Sequence, residues 1–415
     1  MVAMEDDRLA TDRDNRFIAE GLTAVNLRFL RTIEDFENGP EYAPEFVHQH
    51  FGENETIFGY ENLKVVINYT DANIYFYPEV SYDKDITIVD KDIKPDNVIM
   101  KLREQLPEDQ MNVMVTSKPE LFEHFKKNEQ FKPYGTLQHK FENNGNKFEI
   151  YKVDSSSEEF DFYLSRVQTL ALWYIDAAQY TDNTDPRWVH YFIYESRPSL
   201  NGDGTFSYAL AGYASLYRFY AYPSLERPRV AQILLLPKYR RGGNGAKFLQ
   251  AIYNDLKLQK EVLDVTAEDP ADNFIYLRDY VDCINCLKLK EFSAENLANG
   301  YSDEMKEAAV KKLKINKRQS RRVYEILRLM HTDMKNPVAA KSYRIDVKRR
   351  LELPMKRSAK DWRKINHALD SEEVAQVAAA QLDSERKFQL LQSLYESETE
   401  VYKITINRIK TFPTI

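Results

Sequence analysis

Residues 230–249 read VAQILLLPKYRRGGNGAKFL, and this stretch decides the fold assignment. An apolar run turns at Pro237, two arginines and three glycines follow, and an apolar pattern then resumes. RVAQILLLP is typical of a strand, whereas GAKFLQAIYNDLKL predicts a helix because its apolar residues recur at i, i+3 and i+4. A glycine-rich corner between a strand and a helix often binds phosphate.

Three phosphate-binding motifs compete for this corner. A P-loop needs Gly-Lys followed by Ser or Thr, but Gly245 is followed by AKF, so the P-loop is excluded. The dinucleotide motif GxGxxG would put its third glycine at Phe248, which makes that match weak. The third pattern is Gln or Arg, two residues, Gly, one residue, then Gly or Ala, and it fits Arg240, Gly243 and Gly245.

The third pattern suits a pyrophosphate. Main-chain N–H groups from Gly243 to Ala246 would point into one concavity at a helix N-terminus, where the helix dipole favours an anion. Arg240 and Arg241 add positive charge, and the end of the LLL strand can leave backbone groups for the amide-rich arm of pantetheine. The implied ligand is coenzyme A with its acyl group; a purely structural turn is the alternative.

Length and composition restrict the class of protein. The 415 residues suffice for two or three domains, and 43% hydrophobic with 13% aromatic residues is ordinary for a globular protein. Two cysteines suit a reducing compartment. The charged N-terminus lacks a secretory signal, and no apolar run approaches the roughly 20 residues that span a bilayer, so we expect a soluble intracellular protein without a membrane partner.

The net charge of −7 combines an acidic body with a basic segment from Lys306 to Lys364. The basic segment is either a solvated face or a contact for an acidic partner. Direct nucleic-acid binding is not expected, because no recognition module accompanies the segment.

The order of predicted elements indicates an α/β protein with a mixed sheet. Near the N-terminus, the strand candidates are LKVVINYT, NIYFYPEV and, more weakly, NVMVTS. In the middle, the predicted strands are KFEIYKV, HYFIYESR, FSYALAGYASLYRF and VLDVTAED, with NGDG as a turn and EFDFYLSRVQTLALWYIDAAQY as one amphipathic helix. Beyond residue 271 the chain reads as helical and basic, with RRVYEILRLMHTDM and SYRIDVKRRL as the best helices.

Four regions are predicted from these patterns. Residues 1–135 form a mixed α/β domain, residues 136–270 contain the glycine corner, and residues 271–355 form a basic helical domain. Residues 356–415 form a helical tail, which is a coiled coil, partly disordered, or a helix lying on the body, because its heptads are too irregular to choose.

Several long stretches resemble one family. They are FGENETIFGYENLK, RPRVAQILLL, VLDVTAEDP, KKLKINK, SRRVYEILRL and SYRIDVKRRL. Taken in order across residues 45–350, they resemble the type B histone acetyltransferase catalytic subunits, which belong to the GCN5-related N-acetyltransferase superfamily. The resemblance implies that residues 136–270 are an acetyltransferase core that binds acetyl-CoA.

The resemblance also implies a substrate, a partner and site residues. The family acetylates lysines in the N-terminal tail of newly made histone H4 and works with a WD-repeat histone-binding chaperone in the cytoplasm and nucleus. By position, the acetyl-CoA contacts would be Ile233, Leu234, Leu235, Arg240, Arg241, Gly242, Gly243, Asn244, Gly245, Ala246 and Asn273. The histone-tail contacts would be Glu53, Asn54, Glu55, Trp188, Tyr217, Arg218 and Phe219.

Glu268 matches the general base proposed for the family. A lysine ammonium has a reference pKa of about 10.4, and only the free amine attacks a thioester. Glu268 ends the predicted strand VLDVTAED beside Asp269, and paired carboxylates suit acid–base work that needs no metal ion or covalent intermediate. The alternative is a surface carboxylate that caps the next helix, and Asp269 before Pro270 suits either a supporting or a capping role.

Three positions depart from the family pattern. Asp176, in ALWYIDAA, stands where a catalytic glutamate is common, and its reach is shorter by one methylene. Arg241 replaces a smaller or uncharged residue in the loop, and Pro237 falls one place early. The aromatic cluster around Trp188 and Tyr217 is either core or a groove for the aliphatic stem of lysine.

The remaining candidates are weaker. Cys283 and Cys286 form a CxxC inside a helical pattern without two further zinc ligands, so we predict packing thiols and no metal site. His48 and His50 have no partner nearby in sequence and read as surface residues. The functional alternatives are an acetyltransferase of the same superfamily with another acceptor, such as a polyamine, and a non-catalytic histone chaperone or scaffold.

Overall fold

A computed structural model describes residues 15–199, 204–355 and 384–415. The chain divides into two compact units, and the first holds the described part of Met1–Phe219 together with Pro228–Ala251. The second holds Tyr220–Arg227 and the described part of Ile252–Ile415. Helices and mixed sheets are both present, which confirms the predicted α/β class. The domain boundaries at residues 135, 270 and 355 stay predictions, and most of the NGDG turn lies outside the described residues.

Short strands form small sheets in the N-terminal part of the first unit. These strands are β1 (Ile18–Glu20), β2 (Val25–Leu30), β3 (Glu41–Tyr42), β4 (Thr56–Phe58), β5 (Tyr60–Glu61), β6 (Lys64–Thr70), β7 (Phe76–Ser81) and β8 (Lys84–Asp85). One sheet has the order β3-β2-β6-β7, with β2 parallel to β6 and β7 antiparallel to it. After its first residue β6 is buried on both faces, which explains its nearly unbroken apolar run. The predicted strand NVMVTS is wrong: Val113 ends a 3₁₀ segment, and Met114 forms only an isolated bridge.

A larger sheet carries the glycine corner. Its strands are β9 (Thr136–Asn143), β10 (Asn146–Val153), β11 (Trp188–Pro198), β12 (Phe206–Ala221) and β13 (Leu225–Leu235), which lie side by side in chain order. The first four pair antiparallel, and the β11–β12 register shifts between Ile193 and Tyr194. At that shift a side chain on Gly212 would begin 2.2 Å from the Leu234 carbonyl oxygen, so glycine permits the close approach of β13.

The helices that begin in the first unit are mostly short. They are α1 (Gly21–Ala24), α2 (Asp35–Asn38), α3 (His48–Phe51), α4 (Val98–Glu104), α5 (Lys118–Lys126), α6 (Glu158–Thr169), α7 (Ala171–Tyr174) and α8 (Asn244–Leu258). The single helix predicted over residues 159–180 is therefore wrong. The main-chain carbonyl of Trp173 accepts hydrogen bonds from the amides of Glu45 and Phe46, and Ile175 is extended, so the helical segment ends at Tyr174.

The second unit is largely helical. Its elements are β14 (Thr266–Ala267), α9 (Asp272–Cys286), α10 (Ala294–Asn299), α11 (Asp303–Leu313), α12 (Lys317–His331), α13 (Pro337–Glu352) and α14 (Ser384–Thr411). The strand predicted over VLDVTAED is regular only in β14. Val265 donates its amide to the Lys314 carbonyl, and the Arg278 and Asn316 side chains donate to the Val265 carbonyl. The backbone groups of Val265 are therefore not available to extend β14.

Helix α12 forms the centre of the second unit. It buries Val323, Tyr324, Ile326 and Leu327, and it contacts α9, α10, α11, α13 and α14. The tail helix α14 packs against α9, α12 and α13, with Tyr402 fully buried. Among the residues that the structure describes, no helix is both long and apolar enough to cross a bilayer.

Candidate cofactor and substrate site

The glycine corner forms a loop between β13 and α8. Strand β13 ends at Leu235, a 3₁₀ turn covers Pro237–Tyr239, and α8 begins at Asn244. Arg241 has a φ of 63° and Gly243 a φ of 88°. These left-handed conformations turn the chain sharply toward the helix axis, and glycine adopts them without steric cost.

The loop has main-chain donors that its own turn does not use. No turn or cap hydrogen bond within the described residues is donated by the amides of Arg241, Gly242 or Gly243. A side chain added at Gly243 would meet nothing within 4 Å. Because these amides precede the first turn of a 15-residue helix, the helix dipole adds positive potential at the same place. The arrangement fits a phosphate-bearing ligand.

An asparagine from another turn braces this loop. The Asn143 side-chain amide, at the end of β9, donates to the Gly242 carbonyl at 2.6 Å and to the Asn244 side-chain oxygen at 2.7 Å. Asn244 in turn donates to the Tyr239 carbonyl at 3.0 Å. Sequence reasoning missed Asn143, because it lies 99 residues before Gly242 and no local pattern connects the two turns.

Of the two predicted loop arginines, Arg240 is held by protein groups. Its Nε donates to the Leu235 carbonyl at 2.7 Å, its Nη1 contacts the Glu45 carboxylate, and its guanidinium lies 5.0 Å from the centre of the Tyr174 ring. Arg241 is exposed. Arg240 therefore fastens the loop to the residue 45 segment and to α7, whereas Arg241 is the cation that reaches solvent.

The last residues of β13 alternate between two environments. Ile233 and Leu235 are half-buried, while Leu234 faces the core beside Gln232. The Leu236 amide donates to the Ala211 carbonyl at 2.9 Å. Any contact of Leu234 with an acyl carrier must therefore come from its main chain.

Two carboxylates lie beside one imidazole at the start of α3. His48 Nε2 lies 3.4 Å from Asp176 Oδ1, and His48 Nδ1 lies 3.7 Å from Glu55 Oε1. Glu53 and Asn54 are exposed beside Glu55. Asp176, Glu55 and an imidazole are thus brought together although 121 residues separate the two carboxylates in the sequence (176 − 55).

The prediction that both histidines are surface residues is wrong for His50. Its ring stacks on Trp173 with centroids 3.9 Å apart, and neither ring nitrogen has a hydrogen-bond partner among the described residues. Burial, with a smaller contribution from His48, lowers the pKa of His50 to about 3. His50 is therefore a neutral packing residue under Trp173.

The predicted aromatic cluster is a surface. Trp188 and Tyr217 are register partners across β11 and β12 and are half-buried, while Phe219 is 37% exposed. Their rings pack edge to face, with centroids 5.0 Å apart for Trp188–Tyr217 and 4.7 Å apart for Tyr217–Phe219. The half-buried Arg218 lies between them in sequence. The accessible faces fit a groove better than a closed core.

Charged side chains border these rings. The Tyr217 hydroxyl donates to Asp185 at 2.8 Å, and the Arg187 guanidinium lies 4.8 Å from the Tyr217 ring centre. Hydrogen bonds from the Arg187 side chain, then from its amide and from Tyr217, hold the pKa of Asp185 well below its usual range. Asp185 and Arg187 were not predicted; the DPRW turn before β11 was their only sequence signal.

Three predicted site residues belong to the second unit. Glu268 and Asp269 are exposed just after β14, and Asn273 is exposed in the first turn of α9. The residue that precedes α9 in the N-cap position is Ala271, which has no capping side chain. Neither Glu268 nor Asp269 occupies the N-cap position itself, and both side chains are exposed to solvent. The base role and the capping role of these carboxylates therefore both stay predictions.

Comparison with known proteins identifies the family. The family model described as "Histone acetyl transferase HAT1 N-terminus" matches residues 17–176, and "Histone acetyltransferase type B catalytic subunit, C-terminal" matches residues 278–329. The chain is 34% identical over 394 residues to the histone acetyltransferase type B catalytic subunits of Rattus norvegicus and Homo sapiens, covering 93% of this chain and 92% of each relative. The chain belongs to this family. A relative in Cryptococcus neoformans is 27% identical over 427 residues, covering 93% of this chain and 96% of the relative.

Membership of the type B family confirms the predicted resemblance and the enzyme class, a histone acetyltransferase. The N-terminal family match includes His48, Glu55 and Asp176, while the glycine loop lies outside both matched ranges. The roles assigned to individual site residues therefore stay predictions.

The CxxC of this type B family member lies in α9. Cys283 and Cys286 are free thiols and fully buried, and burial raises the pKa of both well above its ordinary value. Such thiols are poor nucleophiles and poor ligands. Within the described ranges no group of three or more His, Cys, Asp or Glu side chains has the geometry of a metal site.

Proposed function

We propose that this protein transfers the acetyl group of acetyl-CoA to lysine side chains in the N-terminal tail of histone H4. The observation that carries the proposal is the loop from Arg241 to Gly243, whose amides donate no turn or cap hydrogen bond among the described residues, in a chain of the type B family. Amides in this arrangement suit a diphosphate, which is the part of coenzyme A nearest its nucleotide end.

The residues of the loop and of β13 supply the binding contacts. The amides from Arg241 to Gly245 would hold the diphosphate, since the predicted contact at Ala246 already donates its amide to the Gly243 carbonyl at 3.1 Å. The exposed Arg241 adds charge, and Arg240 keeps the loop in place. The main chain from Ile233 to Leu235 would pair with the pantetheine arm, and an amide near Leu235 would polarise the carbonyl. Bound acetyl-CoA supplies the activated acetyl thioester. Asn273 is proposed as a further cofactor contact, from the family resemblance.

Glu268 is the proposed general base. Its carboxylate would accept a proton from the lysine ammonium, whose reference pKa of about 10.4 keeps it charged near neutral pH. Asp269, the next residue, is the proposed supporting carboxylate. The exposure of Glu268 supports this role, because a base for a protein substrate must be reachable from solvent.

Charge and aromatic surface support a basic tail as the acceptor. Glu53, Glu55 and Asp176 provide negative charge on the first unit, which suits a lysine-rich peptide. The half-buried rings of Trp188 and Tyr217 can pack on the aliphatic stem of a lysine. We also propose a WD-repeat histone-binding chaperone as partner and the cytoplasm and nucleus as location, both from the family resemblance.

The test measures cofactor binding and transfer separately. Calorimetric titration with acetyl-CoA is expected to show binding by the wild type and by Glu268→Gln, whereas transfer to an H4 tail peptide falls at least 100-fold only in Glu268→Gln. Glu261→Gln is the matched control, since Glu261 is also exposed and lies seven residues earlier (268 − 261). Unchanged transfer by Glu268→Gln at every pH would remove the base assignment, and absence of acetyl-CoA binding would remove the proposed function.

A second assay decides the acceptor. The H4 tail peptide is compared with an unrelated lysine peptide and with spermidine at equal concentration. The proposal predicts the highest kcat/KM for the H4 peptide. A higher value for spermidine would instead support the alternative of another acceptor.

A further inference from the structure

His48 has a position that the proposed reaction does not yet use. It is the first residue of α3, its side chain is 22% exposed, and its two ring nitrogens face two different carboxylates. Nε2 lies 3.4 Å from Asp176, which is 71% exposed, and Nδ1 lies 3.7 Å from Glu55, which is 34% exposed. The imidazole thus stands between a solvent-facing acid and a more enclosed one.

The backbone around this imidazole is tied together by hydrogen bonds. The Gln49 side chain donates to the Ala178 carbonyl at 2.8 Å, and the amides of Glu45 and Phe46 donate to the Trp173 carbonyl at 2.8 and 3.1 Å. Helix α3 and the residues before it are therefore held against α7 and the residues after it. Because these contacts are short and partly buried, they fix the position of His48 relative to Asp176.

Left-handed residues occur at both carboxylates. Glu55 has a φ of 53°, and Ala177, directly after Asp176, has a φ of 50°. Neither position is glycine, so each costs about 1 kcal/mol or more of backbone energy that the surrounding contacts must offset. These turns direct the chain so that both acids lie beside one imidazole.

The bridging imidazole compensates for the short side chain of Asp176. The aspartate carboxyl group is free to rotate at the surface unless a partner restrains it, and restraint lowers the entropy lost when a cation binds. His48 is the partner that can restrain it. The same ring also restricts the rotamers of the Glu55 side chain.

We propose that His48 is a positioning residue that holds Asp176 and Glu55 as a matched acidic pair for a lysine-bearing tail. The inference rests on the proposed function, because the pair is assigned to the basic peptide substrate. His48 acts through the two carboxylates and does not touch the reacting atoms. It is therefore expected to affect KM for the peptide and to leave kcat and acetyl-CoA affinity almost unchanged.

The first experiment measures steady-state transfer to the H4 tail peptide at pH 8, with peptide binding followed independently by fluorescence anisotropy. His48→Ala is expected to raise KM and the peptide Kd about fivefold, since a partly exposed polar contact contributes up to about 1 kcal/mol. His48→Gln is expected to recover most of the loss, because a carboxamide can donate a hydrogen bond from the same place. His139→Ala, at an exposed histidine on β9, is the control and should change neither constant.

The second experiment is a double-mutant cycle between His48→Ala and Asp176→Asn. If His48 acts through Asp176, the double variant has nearly the KM of Asp176→Asn alone, so the two effects do not multiply. Multiplying effects, an unchanged KM in His48→Ala, or a fall in kcat with KM unchanged would each overturn the positioning role. A wild-type protein that binds acetyl-CoA but neither binds nor acetylates the tail peptide would overturn the proposed function itself.

Discussion

Arg241 combines a strained backbone with an exposed charged side chain. Its φ of 63° lies in the left-handed region, where a residue with a side chain costs about 1 kcal/mol or more, and its side chain reaches solvent. The structure therefore assigns Arg241 opposite effects on stability and on anion binding.

Two substitutions separate those effects. Arg241→Gly is expected to raise the free energy of unfolding by up to about 1 kcal/mol, because it relieves the strain, and to weaken acetyl-CoA binding several-fold, because it removes a cation. Arg241→Ala removes the same charge and keeps the strain, so it should weaken binding equally without stabilising the fold. Urea unfolding and calorimetry measure the two quantities. Equal stability of the two variants would show that the φ of 63° is not strained.

At this scale, the sequence was informative about residues within one loop and silent about residues from distant segments. The positions of Gly243 and Gly245 follow from a local motif, because the turn and the helix start impose them. The bracing of the loop by Asn143 and the pairing of His48 with Asp176 join segments about a hundred residues apart. Such contacts depend on strand register and on where helices end, which no local pattern encodes.

At the scale of elements, the turn between β9 and β10 supports the cofactor loop. Asn143→Ala removes both hydrogen bonds to the loop, and we expect it to weaken acetyl-CoA binding about fivefold, because one hydrogen bond contributes about 1 kcal/mol and the loop loses its fixed shape. Asn146→Ala, at an exposed residue three positions later, is the control and should bind normally. Calorimetry that finds the two variants equal would exclude the bracing role.

The tail helix α14 joins the second unit through a buried carboxylate. Glu325 on α12 is fully buried and accepts hydrogen bonds from Arg321 at 2.9 Å, from Arg350 at 2.9 Å and from the Tyr402 hydroxyl on α14 at 3.0 Å. Two cations share this buried acid, although Arg321 also donates to Asp346 at 2.8 Å and Arg350 Nη2 lies 3.7 Å from Glu398. Removing that acid leaves both arginines without a buried counter-charge at this position.

This arrangement predicts graded losses of stability. Glu325→Ala is expected to lower the free energy of unfolding by about 3–5 kcal/mol, because it breaks a buried ion pair from one side. Tyr402→Phe should cost about 1 kcal/mol for one hydrogen bond. Glu400→Ala, in an exposed pair with Lys403 on the same helix, should change stability by less than about 0.5 kcal/mol. Urea unfolding that gives equal losses for Glu325→Ala and Glu400→Ala would contradict the buried network.

Element types were easier to predict than element ends. The helix over residues 159–180 has a continuous apolar pattern, and its first part forms as α6 because Ser157 caps it and Phe160, Tyr163 and Val167 share a buried face. It ends early because the Trp173 carbonyl binds another segment. Likewise β14 is short because Val265 bonds to residues that follow it. In both cases a tertiary hydrogen bond replaced a local one.

For the whole molecule, buried titratable groups give stability a pH dependence of two opposite signs. Burial lowers the pKa of His50 and His190 to about 3. Each histidine therefore makes the folded protein less stable as the pH falls below about 6.5, the pKa of the side chain in the unfolded chain. Burial raises the pKa of Asp71 and Asp282 to about 7. Each aspartate therefore makes the folded protein less stable as the pH rises from about 4, the pKa of the side chain in the unfolded chain, through 7. The two pairs therefore favour opposite ends of the range between pH 4 and 7.

One substitution isolates the histidine contribution. His50→Phe keeps a ring stacked on Trp173 and removes two buried nitrogens that have no partner among the described residues, so at pH 7.5 the variant should be at least as stable as the wild type. Between pH 7.5 and 5.0 the wild type pays about 2 kcal/mol to keep His50 neutral, a cost that is absent in the variant. Urea unfolding at both pH values should therefore show a smaller acid loss for His50→Phe by about this amount. An identical acid loss in both proteins would mean that His50 takes up its proton in the folded state, and that the stack on Trp173 opens to water.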